Sequence, residues 1–527
     1  MIPGADDISG LIKSPITRRA FTVGLASAGL GSIASLCAAC RRVGPQHGLI
    51  PRVIVFGVDG ATLDLLKSWA GEGKLPNFAR LMAEGSGGLL MSVCPPSSGP
   101  AWTTAFTGVN PGKHGIYCFV ASMRELEEGR KEWSFYSSRD RRYPAIWNRL
   151  SADGVRTAII NVPMTSPPEP VNGVMISGIP HLDQDNFAYP LSLRLRLGDS
   201  YPLEALYDLR ETQNALDLDA AIKAERKRFE VARGILDEER WGLFWHCCMV
   251  TDRVQHFYWR HMVPGHPLGP ANEKDRIPDA VLRAYQEADF ELGEIMKRMD
   301  ASTTLAVISD HGFGEHRRIV STAPIFARKP DELREVVFFS TQPTIGMFWI
   351  ASPSGDIEGV DPQLRAKAIR WLKGELEAVR DPQTGGAVIE RVMLRDEMFW
   401  GQAAAGGPDI FAWGRDGYYL RNDLAPGEGT VVIPRREIEA QSGEHKPAGI
   451  AFFAGRGIRK GGQLDNAWLA DVTPTILHFL GEKIPEDADG RVLKEILDHA
   501  FAASRPIPPA PEIRHPFLRR PQAPAGP

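Results

Sequence analysis

The sequence is poor in cysteine, in net charge and in repetition, and each lack removes a class of protein. Six cysteines in 527 residues cannot staple a chain of this length, so a disulfide scaffold is excluded. Cys37 and Cys40 fall in the N-terminal segment, and Cys247 and Cys248 sit side by side in an apolar run and read as small buried hydrophobes. Cys94 and Cys118 flank a small-residue loop, and whether they pair is left open by the sequence. Lysine and arginine number 61 against 65 aspartate and glutamate, for a net charge of −4. That balance lacks the electropositive field of a nucleic-acid-binding surface. No internal repeat is present, which argues against a solenoid or propeller. What remains is a composition of 43% hydrophobic and 24% charged residues, ordinary for a globular chain able to bury a large core. Roughly 100–200 residues per domain would give about three domains, a count that a large α/β enzyme with insertions overrides.

The N-terminus carries Thr17-Arg18-Arg19-Ala20-Phe21, then an uncharged stretch rich in Ala, Gly, Ser and Leu that ends at Cys40-Arg41-Arg42. A basic start followed by an apolar run is the pattern of an export signal, and the paired arginines resemble the twin-arginine form. Residues 1–42 are therefore expected to be such a signal, with the twin-arginine machinery as partner and a periplasmic or other extracytoplasmic destination. A membrane anchor is the competing reading, weakened by the Gly and Ser content of the stretch. Leu36-Cys37-Ala38-Ala39-Cys40 faintly resembles a lipoprotein box, which makes Cys40 a candidate lipid anchor.

Residues 51–500 read as one catalytic domain. Arg52 to Asp59 is a short apolar run ending in Asp59-Gly60, the form of a buried parallel strand meeting a loop. The form recurs at Thr157–Pro163, Gly242–Asp252 and Thr304–Gly312. Helical patterns at Ala220–Glu238 and Ala280–Met299 lie between, so the expectation is an α/β fold with a mostly parallel sheet sandwiched by helices. In such sheets ligands bind at the carboxyl ends of the strands, where three of these runs deliver an aspartate. Two segments, about 117–143 and 316–440, read as cap insertions. The tail from 504 to 527 is rich in proline and is expected to be disordered.

Asp59, Asp252 with His256 four residues on, Asp310-His311, and His445 form a scattered set of carboxylates and imidazoles. Such donors suit zinc and similar ions. Taken singly, an Asp-His dipeptide is commonly a loop accident and an i,i+4 pair a solvated helix face. Ser98 lies in Cys94-Pro95-Pro96-Ser97-Ser98-Gly99-Pro100, ahead of a helix-like stretch. A hydroxyl there would feel the positive end of a helix dipole and would need a base or a metal to become a nucleophile. The alternative is that Ser97 or Ser98 is simply a helix cap.

In order, the chain carries Val58-Asp59-Gly60, Ser98-Gly99-Pro100-Ala101-Trp102, Thr107-Gly108, Asn110-Pro111 and Lys113-His114-Gly115-Ile116. It continues with Asn161-Val162-Pro163, Thr251-Asp252-Arg253, His256, Ser309-Asp310-His311-Gly312, Gly443-Glu444-His445 and Asp471-Val472-Thr473-Pro474-Thr475. Pro485 and Asp489-Gly490 close the series. From about Arg52 to Leu497 the chain resembles the alkaline phosphatase superfamily, and within it the type I phosphodiesterase/nucleotide pyrophosphatase family. The resemblance implies a hydrolase of phosphoric esters with two divalent ions, zinc being expected. Asp252, His256 and His445 would hold one ion. Asp59, Asp310 and His311 would hold the other, with the Ser98 oxygen as a further ligand. Ser98 would attack phosphorus in line, and water would hydrolyse the phosphoseryl intermediate.

One departure stands out. Nucleotide pyrophosphatases of this kind carry an asparagine shortly after the His-Gly-Ile stretch, where this chain has Phe119. Nucleotide preference is thereby in doubt, and diester against monoester preference stays open. Arg253, His316 and Arg317 are candidates for binding a phosphate-ester substrate, with structural or solvated roles as the alternative. Trp102 is a candidate substrate wall, with helix core as its alternative. Among rival activities, a sulfatase needs Arg at the end of the Cys-x-Pro-x-Arg signature, and Cys94-Pro95-Pro96-Ser97-Ser98 ends in serine. A phosphomonoesterase, a transferase using the same seryl intermediate, and a catalytically silent envelope binding protein are the remaining readings.

Overall fold

Runs of Val, Ile, Phe and Ala bounded by turns build the centre of this molecule, as their β-branched and aromatic content favours. The computed structural model describes residues 50–125, 131–198, 201–203, 216–270, 272–340, 346–421, 430–432, 441–512 and 514–518. The expected export signal at 1–42, with Cys40, lies outside the described residues. No helix among the described residues is long and apolar enough to cross a membrane.

An eight-stranded sheet runs in the order Ser86–Met91, Ala448–Gly455, Thr303–Ile308, Arg52–Val58, Leu243–Cys248, Thr157–Val162, Gly173–Ser177, Ala188–Tyr189. The five strands from Thr303–Ile308 to Gly173–Ser177 are mutually parallel. Ala448–Gly455 is antiparallel to its neighbours at one side and Ala188–Tyr189 at the other. The fold is thus α/β with a mostly parallel sheet. Both faces are covered, which explains why its strands read as continuous apolar runs. One face packs on the helices Ser98–Thr107 and Val472–Leu480, around Trp102, Trp147 and Trp245. The other packs on Leu218–Glu238 and Ala280–Met296, around Phe56, Phe229 and Tyr285. The first of these two helices starts where Asp217 accepts a hydrogen bond from the Ala220 amide at 3.0 Å, a side-chain cap of the usual kind.

The 117–143 segment contains an antiparallel pair, Val120–Glu125 with Lys131–Phe135. In the 316–440 segment, four antiparallel strands in the order Val337–Phe339, Met347–Ala351, Ile410–Gly414, Ile389–Leu394 pack beside the helix Pro362–Ala378. Their buried side chains, Phe348, Leu372, Val392 and Ile410 among them, form a core separate from that of the main sheet. The strand Gly312–Ser321 links the two parts, since it follows Asp310-His311 and pairs with Gly443–Lys446 on the way back.

The described residues of the tail, up to 518, differ from the expectation; 519–527 lie outside the described residues. His515 is buried, with its Nε2 2.6 Å from the Ser92 carbonyl oxygen. The Phe517 ring lies edge-on to Trp413 at 5.8 Å. The aromatic side chains set among the prolines find buried contacts, and prolines already extended lose little entropy in making them.

Candidate metal centre

The carboxyl ends of three parallel strands supply the centre. Arg52–Val58 ends at Asp59, Leu243–Cys248 leads into the helix Val250–Met262 that bears Asp252 and His256, and Thr303–Ile308 ends before Asp310 and His311. His445 arrives from the returning strand Gly443–Lys446, where it stands opposite Phe313. Gly60 lets these elements meet. Its φ is +69°, and a Cβ there would lie 2.9 Å from the Phe313 ring and 3.3 Å from the Asp252 Cα. A side chain at that position would meet both strain and collision.

Three imidazoles are aimed by backbone carbonyls. Nδ1 of His256 lies 3.1 Å from the Gly443 oxygen, Nδ1 of His311 3.1 Å from the Gly312 oxygen, and Nδ1 of His445 2.8 Å from the Pro96 oxygen. A neutral ring that donates from Nδ1 turns the lone pair of Nε2 inward, the arrangement of a metal-ligating histidine. The Nε2 atoms of His256 and His445 are 3.0 Å apart. Two lone pairs at that separation need a proton or a cation between them.

The carboxylates converge on the same atoms. Asp252 Oδ1 is 3.2 Å from His445 Nε2, 3.5 Å from His256 Nε2 and 3.9 Å from His311 Nε2. His311 Nε2 is also 3.5 Å from Asp59 Oδ1 and 3.3 Å from Asp310 Oδ2. Two groups result, Asp252-His256-His445 and Asp59-Asp252-His311, each with ligand atoms within 4.8 Å of one another. Asp252 therefore stands between the two groups, which the one-site assignment in the sequence did not anticipate. Asp310 Oδ2 is buried with no hydrogen-bond partner, a costly state that a cation would relieve.

The electrostatics fit the same donor set. Burial pushes the Asp310 carboxyl up to about 7, and the Asp252 charge adds to the push. Burial also opposes charge on Asp252, but His256 and His445 outweigh it and hold that carboxyl well below the usual range. For His445, burial disfavours the cation, yet the hydrogen bond and charge of Asp252 win and raise it to about 9. Burial, with the His445 charge, drives His311 well below the ordinary histidine value. A proton on His445 would offset the charge of these carboxylates. Divalent cations would do the same with every imidazole neutral. The residues present fit a metal site.

Ser98 opens the helix Ser98–Thr107 and is buried. Its Oγ lies 3.3 Å from His311 Nε2 and 3.4 Å from Asp59 Oδ1. Ser97, not Ser98, occupies the cap position of that helix, and its hydroxyl makes no cap bond. The capping alternative for Ser98 is therefore replaced by a hydroxyl facing the acidic and imidazole cluster.

Residues 53–445 match the family model described as type I phosphodiesterase/nucleotide pyrophosphatase. The chain belongs to that family. It is accordingly a member of the alkaline phosphatase superfamily and a hydrolase acting on phosphoester bonds, in a family that is metal-dependent. No curated protein sequence matches the chain.

Not every candidate residue of this phosphodiesterase-family enzyme meets the centre. Trp102 is fully buried and cannot form a substrate wall. Its indole instead donates from Nε1 to Asp59 Oδ2 at 2.8 Å. Arg253 follows Asp252 on the helix Val250–Met262 and is half-buried. Arg317 is held by Glu315, Nε to Oε1 at 2.9 Å. His316 is buried and stacks on Tyr419 with ring centroids 4.4 Å apart. Phe119 is buried, and its backbone nitrogen would be 3.3 Å from a Cβ at Gly99, so the main chain and not a side-chain amide lies behind the Ser98 loop. Cys94 and Cys118 are buried and not joined in a disulfide.

Sequence reasoning missed the supports of the site. Thr251 Oγ1 donates to the Asp59 carbonyl at 2.6 Å, and Gln255 Nε2 to the Gly60 carbonyl at 2.9 Å. Both lie beside Asp252 and His256 on one helix, and that i, i+4 spacing was the available signal.

Proposed function

We propose that this enzyme is an exported, metal-dependent phosphodiesterase in which Ser98 is the nucleophile. The carrying observation is the Ser98 Oγ, 3.3–3.4 Å from His311 Nε2 and Asp59 Oδ1, at the N-terminus of a ten-residue helix. Asp252, His256 and His445 are the proposed holders of one divalent ion, and Asp59, Asp310 and His311 of a second, with Asp252 near both. Zinc is the ion these nitrogen and oxygen donors suit. Bound there, such ions would lower the pKa of the Ser98 hydroxyl and offset the negative charge that develops in phosphoryl transfer.

The rest of the work falls to the chain. Ser98 Oγ, having lost its proton, forms a bond to phosphorus while the bond to the leaving alkoxide oxygen breaks, and that oxygen takes up a proton as it departs. The resulting phosphoseryl ester is hydrolysed by water, which returns the hydroxyl and releases a phosphate monoester. Asp59 and His311 fix the direction of Oγ, and Trp102 fixes Asp59. The helix N-terminus favours the anionic group beside Ser98. Export by the twin-arginine route, which carries folded and metal-loaded proteins, rests on Arg18-Arg19 and the apolar stretch after them.

The test is turnover of bis-p-nitrophenyl phosphate and p-nitrophenyl phosphate by the zinc-loaded protein, with product analysis. The reading expects diester cleavage to exceed monoester cleavage, and Ser98→Ala to lose at least about a thousandfold in rate while keeping its metal. Wild-type-like turnover in Ser98→Ala would remove the serine from the chemistry. Predominant monoester cleavage, or transfer of the phosphoryl group to an added alcohol, would redirect the reading to a phosphatase or a transferase.

A further inference from the structure

The Phe313 ring meets imidazoles of both ligand groups. Its centroid lies 4.8 Å from that of His256 and 5.2 Å from that of His445, the two histidines assigned to one ion. It lies 6.0 Å from that of His311, assigned to the other. These are separations at which aromatic rings attract, and the angles of 78° to His256 and 64° to His445 are edge-to-face. His311 and His445 in turn stack on each other, with centroids 3.6 Å apart and planes 21° from parallel. Imidazoles proposed for different ions are thus in contact, and Phe313 lies against both.

Several neighbours fix this ring. The Phe313 amide donates to Thr62 Oγ1 at 3.0 Å, and strand pairing sets Phe313 opposite His445. Trp259, three residues after His256 on the helix Val250–Met262, stacks on it with centroids 6.0 Å apart and planes 21° from parallel. Both rings are buried. Two glycines leave the space. A Cβ at Gly60 would stand 2.9 Å from the Phe313 ring, and one at Gly443 3.0 Å from it, closer than packed carbons settle.

A metal-ligating imidazole needs such a second hold. The bond from Nδ1 to a backbone carbonyl sets one end of the ring. The last torsion of a histidine is broad, yet Nε2 must stay within about 0.2 Å of its ligand distance. Phe313 restricts that swing at His256, His445 and His311 at once. A phenyl ring offers no lone pair as a ligand, so its influence on a cation passes through the imidazoles.

Resting on the reading of the cluster as a two-ion centre, we infer that Phe313 is a positioning residue common to both ions. Its ring limits the swing of the three imidazoles, and its removal weakens both ions together. A histidine ligand variant differs, since it deletes a donor from one ion.

The experiment titrates the full-length protein with zinc against a chelator of known affinity and reads the two equivalents separately. Phe313→Leu removes the planar ring. Phe313→Met removes it with less loss of volume and keeps the test open should the leucine variant not fold. Phe78→Leu is the comparison, because Phe78 is a fully buried ring on the helix Pro76–Glu84, which carries no residue of the centre. Urea midpoints in the presence of chelator show that each variant folds and how much stability it loses. The Phe313 variants are expected to hold each equivalent about 10–100-fold more weakly than wild type, whereas Phe78→Leu loses stability with both affinities kept. Wild-type affinity in a folded Phe313 variant, a loss confined to one equivalent, or an equal loss in Phe78→Leu overturns the positioning role and leaves the two-ion reading in place. A wild type that binds no zinc overturns both.

Discussion

The indole Nε1 of Trp102 lies 2.8 Å from Oδ2 of Asp59, with both side chains fully out of solvent. A carboxylate held on one oxygen by a fixed donor presents its other oxygen in one direction. That other oxygen, Oδ1, faces Ser98 Oγ and His311 Nε2, at 3.4 and 3.5 Å. Outer partners of this kind carry about 10–100-fold in metal affinity or activity. Trp102→Phe keeps an aromatic ring in the core and removes the donor. It is expected to weaken metal binding by about that factor in a chelator-competition titration, with an unchanged circular dichroism spectrum. Unaltered affinity and turnover would assign the indole to packing alone.

Gly57 makes room for that indole. A Cβ at Gly57 would stand 2.5 Å from Cys247 Sγ and 2.6 Å from the Trp102 ring, nearer than packed atoms approach. Gly57→Ala is expected to destabilise the protein by about 1–3 kcal/mol and to lower metal affinity by displacing the indole from Asp59. Urea unfolding and the same chelator titration read the two effects separately.

Asp310 gives a pH dependence with a definite sign. Burial, with the Asp252 charge behind it, raises its folded-state value to about 7, against about 3.9 in an unfolded chain. The unfolded chain thus binds fewer protons at this residue between those values. The stability tied to protonated Asp310 is complete below about pH 4 and is lost as the pH climbs to about 7. In the presence of a chelator, wild type is expected to lose stability relative to Asp310→Asn across that window. With saturating zinc the order reverses, because only the carboxylate binds the cation well. Urea midpoints of the two proteins from pH 4 to 7 measure the gap, and a constant gap would contradict the assignment.

Asp489 ties the segment after the helix Ser98–Thr107 to the cap. Its Oδ2 accepts from the Asn110 amide and Nδ2, both at 2.8 Å, while its Oδ1 accepts from Lys113 Nζ at 2.6 Å and Trp400 Nε1 at 2.9 Å. Asp489→Ala strands a largely buried set of donors and is expected to cost about 3 kcal/mol or more. Thermal unfolding checks this, and metal content is expected to persist, since no ligand of the centre touches Asp489.

Asp59 and Asp310 were legible because a parallel sheet buried on both faces must read as apolar runs, and these residues end such runs; Asp252, read from the sequence as a strand end, falls instead in the first turn of the helix Val250–Met262. Ser98 was visible only through its place among the family's motifs, since a serine before a helix is most often a cap. The role of Trp102 was not legible. Its indole reaches Asp59 across the core from a neighbouring helix, and nothing in local spacing records a contact between residues 43 apart in sequence. The tail misled for a related reason, because proline content describes the free chain and not the groove that receives His515 and Phe517. Sharing of Asp252 between the two groups also escaped, as it depends on distances near 3–4 Å that residue order cannot supply.

The most direct measurement is metal stoichiometry by elemental analysis of the purified protein equilibrated with zinc, beside His445→Ala and His311→Ala. Wild type is expected to hold about two equivalents per chain, and each variant to lose about one. A wild-type protein that retains no zinc, or variants that retain as much as wild type, would contradict the two-ion reading.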